Sequence, residues 1–271
     1  LWAQEHLFFP RQPKSGYAAV PGMPIPEQYR TVLAATEAMA FAAACTKTVT
    51  IGSSILVGGY HRPVELAQSL ATIDLLSGGR LVAGFSVGWS DDEHAQMDVD
   101  PRSRGRRLDE LVRAVLACWG PDPVSFKGEF FDIPESDIRP KPLQKPHPPL
   151  LSGMWSEAGL ARTVSLFDIW NPARGTPPEL AVKVAELNAE RAEGQEPLRI
   201  YFRSFAQRPT HRPGDPVPGV EGVVADVRAA AESGVEEVIV ECNFWEAVDS
   251  PEAWGRMPEM LAPALEVART Y

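Results

Sequence analysis

Residues 81–88 (Leu-Val-Ala-Gly-Phe-Ser-Val-Gly) form an almost unbroken apolar run between the pair Gly78-Gly79 and the step Gly88-Trp89. A strand without polar alternation is buried on both faces, which is how parallel strands in α/β proteins read. Ahead of it, Leu66, Leu70, Ile73 and Leu76 fall on one face of a helix. Pro63 opens that helix, where a first turn accepts proline. A glycine just past its end takes the left-handed conformation that a capped C-terminus needs. In folds built this way the chemistry lies in the loops beyond the C-terminal strand ends. Gly88, Trp89 and the acidic residues after them are therefore on the working side.

The same alternation runs along the chain. Strand-like segments lie at 1–9, 49–57, 81–88, 150–153, 167–171, 198–205 and 235–242. Helical patterns lie at 27–44, 63–77, 108–119, 156–165, 178–193, 220–233 and from about 251. Strands alternating with helices predict right-handed crossovers and a parallel sheet. Seven strand–helix units are present, and a closed barrel of this class has eight. The expected fold is thus α/β, a TIM (β/α)8 barrel filling 1–271 as a single domain, with the first βα unit missing from this chain. An insertion at about 120–149 combines a hairpin over 124–131, with Lys127-Gly128 at its turn, and a Pro-rich extended segment over 140–149. An open doubly wound sheet is the competing architecture, but no glycine-rich dinucleotide fingerprint follows any strand.

Composition narrows the function. A net charge of −10 argues against a general nucleic-acid binder, which needs a basic face. No apolar run reaches the roughly 18 residues of a membrane span, and no signal-peptide pattern is visible, so a cytoplasmic protein is expected. Cys45, Cys118 and Cys242 are far apart; Cys45 and Cys118 read as buried small hydrophobes in a reducing compartment. Asp91, Asp92 and Glu93 read as a solvated helix start rather than a metal cluster, because acidic side chains complement the N-terminal dipole. No metal site is expected.

Four places could carry chemistry. Glu5-His6 ends the first strand, and a histidine beside a carboxylate suits proton transfer near neutral pH. Ser53-Ser54 inside a buried strand is unusual unless the hydroxyls, or the backbone beneath them, face a ligand; close strand packing is the other reading. Trp89 is suited to wall a pocket, and Gly88 lets a planar ligand approach the backbone. Ser152-Gly153-Met154-Trp155 joins a strand to a helix, where backbone N–H groups can bind phosphate; capping by Ser156 alone is the alternative. Pocket-forming loops are expected at 10–26, 126–131 and 210–219.

The run 72–89, TIDLLSGGRLVAGFSVGW, closely resembles the fourth strand of the bacterial luciferase-like monooxygenase family, whose usual wording is LATLDxLSGGRLxLGVGxGW. Further segments agree in order and spacing at 61–71, 100–107, 122–126, 140–149 and 233–235. The resemblance implies a flavin or deazaflavin ring beside His6 and Glu5, backed by a bulged third strand. There the family has a non-proline cis peptide, carried over by position to Ser54-Ile55. It also implies Gly88 and Trp89 at the ring, and the cofactor phosphate at Ser152, Gly153, Met154 and Trp155. This chain departs from the family at that junction, usually Gly-Gly, and lacks the glutamate that some deazaflavin-dependent relatives place at the Trp89 position. The wording VDPRSRGRR…DPVSFKGEFF…RPKP resembles an actinobacterial subgroup that uses coenzyme F420. Hydride transfer between F420 and a small, apolar organic substrate is then implied. The alternatives are an FMN-dependent monooxygenase using reduced flavin and O2, and a cofactor-free binding or partner subunit of the same fold. The family forms dimers, which implies a homodimer here.

Overall fold

The computed structural model describes residues 1–17, 23–208 and 219–271. Parts of the expected pocket loops at 10–26 and 210–219 lie outside the described residues. The strands are β1 (Trp2–Ala3), β2 (Ile51–Ser53), β3 (Leu56–Val57), β4 (Leu81–Ser86), β5 (Val124–Lys127), β6 (Asp132–Ser136), β7 (Leu150–Ser152), β8 (Ile169–Trp170), β9 (Arg199–Phe205) and β10 (Glu237–Glu241). Two compact units divide the chain, Leu1–Ile169 and Trp170–Tyr271.

In the first unit β1, β2, β4 and β7 form a parallel sheet, with β3 resuming the course of β2 along β4. Leu81, Val82, Ala83 and Phe85 are all buried, as a two-faced apolar strand demands. Helix Pro63–Ser77 ends at Gly78, whose φ is 71°, and the N–H of Gly79 returns to the Asp74 carbonyl at 2.8 Å. Arg80 follows, and its guanidinium donates to the carbonyls of Ala43 and Thr46 (3.1 Å each), Val49 and Ser77. A cation thereby sits at the C-terminus of helix Ala35–Cys45, where the helix dipole favours it. Helix Arg104–Trp119 buries Leu108, Leu111, Val112, Val115 and Trp119 at spacings of three and four, while Leu116 is half-buried.

The break between β2 and β3 is a bulge. Gly52 pairs with Val82 and Leu56 with Phe85, so four steps on one strand run against three on the other. The Ser53 hydroxyl donates to the Gly84 carbonyl and accepts from the Gly84 N–H, both at 2.9 Å. Its polarity is consumed inside the sheet, which is the packing explanation for that serine. The one non-proline cis peptide among the described residues joins Ser54 and Ile55, where the resemblance put it.

Several expectations need correction. The helix expected over 27–44 is a 3-10 turn, Glu27–Arg30, followed by helix Ala35–Cys45. The chain is extended at Thr31 (φ −129°), beside the β-branched Val32. The hairpin does not turn at Lys127-Gly128; its second strand is β6, and Gly128–Phe131 forms the loop. Glu110 decides this, since its carboxylate accepts the N–H groups of Glu129, Phe130 and Phe131 at 2.9, 2.8 and 2.7 Å. Cys45 is exposed, on the outer side of its helix; Cys118 and Cys242 are buried.

In the second unit β9 and β10 are parallel over five residue pairs, with helix Val220–Glu232 between them in sequence. Val223 and Val227 of that helix pack with Ala206, Cys242 and Ala264. The helix expected from about 251 is three short ones, Pro251–Gly255, Met257–Met260 and Ala262–Ala268, each with a proline in its first turn. Among the described residues no helix is long and apolar enough to cross a membrane.

The bulge leaves no room at Gly84, where a Cβ would lie 2.0 Å from the Ser53 carbonyl oxygen. Gly84→Ala should therefore lower the unfolding free energy by about 3 kcal/mol, because the obstacle is backbone and cannot rotate away. Urea denaturation measures it, and a midpoint equal to the wild type's would show that the two strands are not in this register.

Candidate active site

The carboxyl ends of β1, β3 and β4 bring together residues far apart in sequence. Glu5 and His6 follow β1 directly. The Glu5 carboxylate accepts the Val57 N–H at 2.6 Å and lies 2.9 Å from Nε2 of His61. It ties the end of β1 to the end of β3 and to the turn beyond. Burial alone would lower the His61 pKa; the hydrogen bond and charge of Glu5 outweigh it and leave it raised.

His6 points elsewhere. Its Nδ1 is 3.1 Å from Oε2 of Glu93, in the short helix Asp91–Gln96 that Ser90 caps. The same carboxylate accepts the Leu7 N–H and, at 3.1 Å, the Tyr60 hydroxyl. Its side chain is 2% exposed. Burial pushes the Glu93 pKa up, but the donors from His6, Leu7 and Tyr60 more than offset this and hold it below the usual carboxylate value. Burial, then the Glu93 charge, pushes the Tyr60 phenol up. Glu93 is thus no part of a solvated helix start. Nothing in the run Asp91-Asp92-Glu93 distinguishes the buried carboxylate from the other two in the sequence. Asp92 also has a structural partner, the Lys14 N–H at 2.9 Å.

Aromatic rings surround the imidazole. Tyr29 and Trp89 meet it edge-on, with centroids at 4.6 and 5.3 Å. Tyr17 packs against Trp89 at 5.8 Å, and the Tyr17 and Tyr29 hydroxyls are 3.3 Å apart. Trp89 is held by the turn it rides on. The buried His94 ring lies between the carbonyls of Ser90 (2.7 Å) and Val87 (2.9 Å) and spans that turn. Gly88 there has a φ of 71°, and a Cβ would meet Val57 and His94 at 2.6 and 2.8 Å. Left-handed backbone and close packing are what demand glycine, rather than room for a ligand on that side.

The remaining predicted residues are less uniform. Ser54 is buried, whereas Ile55 is only half-buried within a strand segment otherwise enclosed. At the junction after β7, the Ser152 hydroxyl is 2.6 Å from that of Thr163 and faces inward. Met154 belongs to the apolar core, its Cβ lying where a Cβ on Gly159 would collide at 2.7 Å. Ser156 caps helix Glu157–Leu166 by accepting the Gly159 N–H at 3.2 Å. The side chains of Ser152 and Met154 are therefore committed to the protein, and the Ser152 hydroxyl oxygen also accepts the Met154 N–H at 3.3 Å. Among the described residues no group of three His, Cys, Asp or Glu could hold a metal ion.

Residues 1–259 match the family model described as luciferase-like monooxygenase. The chain belongs to the luciferase-like monooxygenase family. This luciferase-like chain is 33% identical over 158 residues to a Mycobacterium tuberculosis protein of uncharacterised function, covering 56% of the chain and 54% of that relative. It is 30% identical over 166 residues to an FMNH2-dependent dimethylsulfone monooxygenase of Pseudomonas putida, covering 60% of the chain and 45% of that protein. The chain spans about half the length of these curated relatives. An F420-dependent secondary alcohol dehydrogenase superimposes with a TM-score of 0.68 at 16% identity, over 88% of this chain and 83% of that one. That likeness shows the luciferase-like α/β TIM-barrel fold.

The Glu5–His61 pair has a pH signature. Because the pKa of the folded ring is raised above 6.5, the pair's contribution is complete below that value and is lost as pH climbs through the folded pKa. The stability gap between wild type and His61→Gln should accordingly be larger at about pH 6 than at about pH 9. Unfolding in urea at both pH values measures the gap; one that does not change would remove the charged pair.

Proposed function

We propose that this luciferase-like chain is an oxidoreductase that moves a hydride between deazaflavin coenzyme F420 and a small, apolar organic substrate. The observation that carries the reading is the placement of His6 at a carboxyl strand end, with Nδ1 on Glu93 and Trp89 and Tyr29 edging the ring. The choice of F420 rests on the actinobacterial wording of the sequence, and the Mycobacterium relative and the F420-dependent neighbour agree with it.

The residues present fit a flat ring. Between buried β2 and β3 the bulge leaves Ile55 half-buried, and the half-buried Gly88 and Trp89 follow the adjacent strand. Ser54, Ile55, Gly88 and Trp89 would hold the ring. With the Ser152 hydroxyl and Met154 side chain turned inward, the junction at Ser152, Gly153, Met154 and Trp155 would meet an anionic tail through backbone amides other than the Met154 N–H, which the Ser152 hydroxyl accepts at 3.3 Å. When bound, the deazaflavin supplies two-electron hydride chemistry. The chain's own residues do the rest. His6 takes or gives the matching proton at Nε2, the nitrogen that Glu93 does not occupy. Glu5 fixes the strand ends around it through Val57 and His61, while Trp89 and Tyr29 keep water from the ring.

A second reading, an FMN-dependent monooxygenase using reduced flavin and O2, is favoured by the dimethylsulfone monooxygenase and by a flavin-dependent trigonelline monooxygenase of Acinetobacter baylyi, 36% identical over 107 residues. Fluorescence titration with both cofactors separates the two, and F420 should bind at least about tenfold more tightly. Tighter FMN binding would move the assignment to the second reading, and uptake of neither would leave a partner subunit. His6→Ala should lower turnover about a hundredfold or more while leaving the chain folded, with the unfolding midpoint lowered because buried Glu93 loses a donor.

We further propose a cytoplasmic homodimer. Helix Ala35–Cys45 has Glu37 as its only charged residue, and Phe41 is 73% exposed on it. Leu33 before that helix and Val64 and Leu75 on the adjoining helix Pro63–Ser77 are exposed as well, and so is Leu76, which the spacing had placed with the buried Leu66, Leu70 and Ile73. An exposed helix face with a single charge is built to be covered, and exposed apolar patches mark interfaces. Phe41→Glu should convert a dimer to monomers in sedimentation velocity at micromolar concentration; a wild-type monomer would end the proposal.

A further inference from the structure

We infer that Glu93 is the positioning residue of the His6 ring, fixing which imidazole nitrogen faces the substrate. The inference rests on the role given to His6 above. A carboxylate offers only acceptors, so Nδ1 of His6, at 3.1 Å, carries the hydrogen and Nε2 is left with the lone pair in the neutral ring. Three donors from two segments converge on the one buried carboxylate: the His6 ring and the Leu7 N–H after β1, and the Tyr60 hydroxyl after β3. Glu93 thereby holds the ring and the backbone next to it together, which a contact to the ring alone would not achieve.

The neighbours make the arrangement one-sided. Tyr29 and Trp89 close on the edges of the imidazole, and a half-turn of the ring, which puts Cδ2 where Nδ1 stands, would break the Glu93 bond without offering Nδ1 a substitute carboxylate. Glu5, the other nearby carboxylate, is engaged with Val57 and His61. The charged and titratable groups that face the pair are Tyr60 from the turn after β3, with Glu5 and Arg104 acting on that phenol from β1 and helix Arg104–Trp119. Holding one nitrogen through a carboxylate so that the other works is how buried acids fix a histidine tautomer in metal sites and acyl-transfer triads.

Nitrogen-15 spectra of the His6 ring in the full chain, without cofactor, read the tautomer directly. The wild type should show the Nδ1–H form in its neutral state. Glu93→Gln, which conserves volume, should bring the Nε2–H form to half or more and lower kcat about 10- to 100-fold, with KM within about threefold. Tyr60→Phe, which leaves the His6 contact in place, should keep the Nδ1–H form; a tautomer change there, or an unchanged tautomer in Glu93→Gln, overturns the inference. Should Glu93→Gln not fold, the wild-type and Tyr60→Phe spectra still decide, since an Nε2–H wild type is fatal by itself. The spectra need no cofactor, so failure to bind F420 sinks the functional reading and leaves this one standing, while an unmoved tautomer in a chain that binds F420 does the reverse.

Discussion

β4 is enclosed on both faces, and the rest of the first unit is arranged around that fact. Its neighbour cannot pass it smoothly, because the Ser53 carbonyl occupies the space where a side chain on Gly84 would stand. The extra residue between Gly52 and Leu56 takes up the difference. Out of the displaced register come both a half-buried Ile55 and a β3 that ends at Val57 within reach of Glu5. The dense packing of a buried strand thus determines where the working surface lies.

At the carboxyl ends, the governing physics is the cost of enclosing charge. Glu5 and Glu93 sit deep in a chain that is already acidic, and each is made tolerable by several donors rather than by one cation. Backbone N–H groups, a phenol and imidazoles serve as those donors. The same contacts that neutralise the cost immobilise His6 and His61, so accommodation of charge and geometric order arise together.

Much of this was legible in the sequence, for identifiable reasons. Apolar strand runs and glycine caps are local signals, and seven strand positions were found from them. The fourth-strand wording carried the family, and with it the location of the Ser54-Ile55 bond. What could not be read depends on contacts across the fold. Glu93 looks like its two acidic neighbours until Tyr60, Leu7 and His6 arrive from elsewhere. The hairpin turn lies beyond Lys127-Gly128 because Glu110, from a preceding helix, draws in three loop amides, which no local pattern announces. The inward turn of the Ser152 hydroxyl is not legible either, because Thr163, its partner, is one helix away.

Arg80 has a consequence that extends past its own neighbourhood. One guanidinium accepts responsibility for the end of helix Ala35–Cys45, the approach to β2 at Val49 and the end of helix Pro63–Ser77. Three chain ends anchored on a single cation cannot fray separately. Their amides form one block of solvent protection, released together in a single sub-global opening rather than by piecemeal loosening.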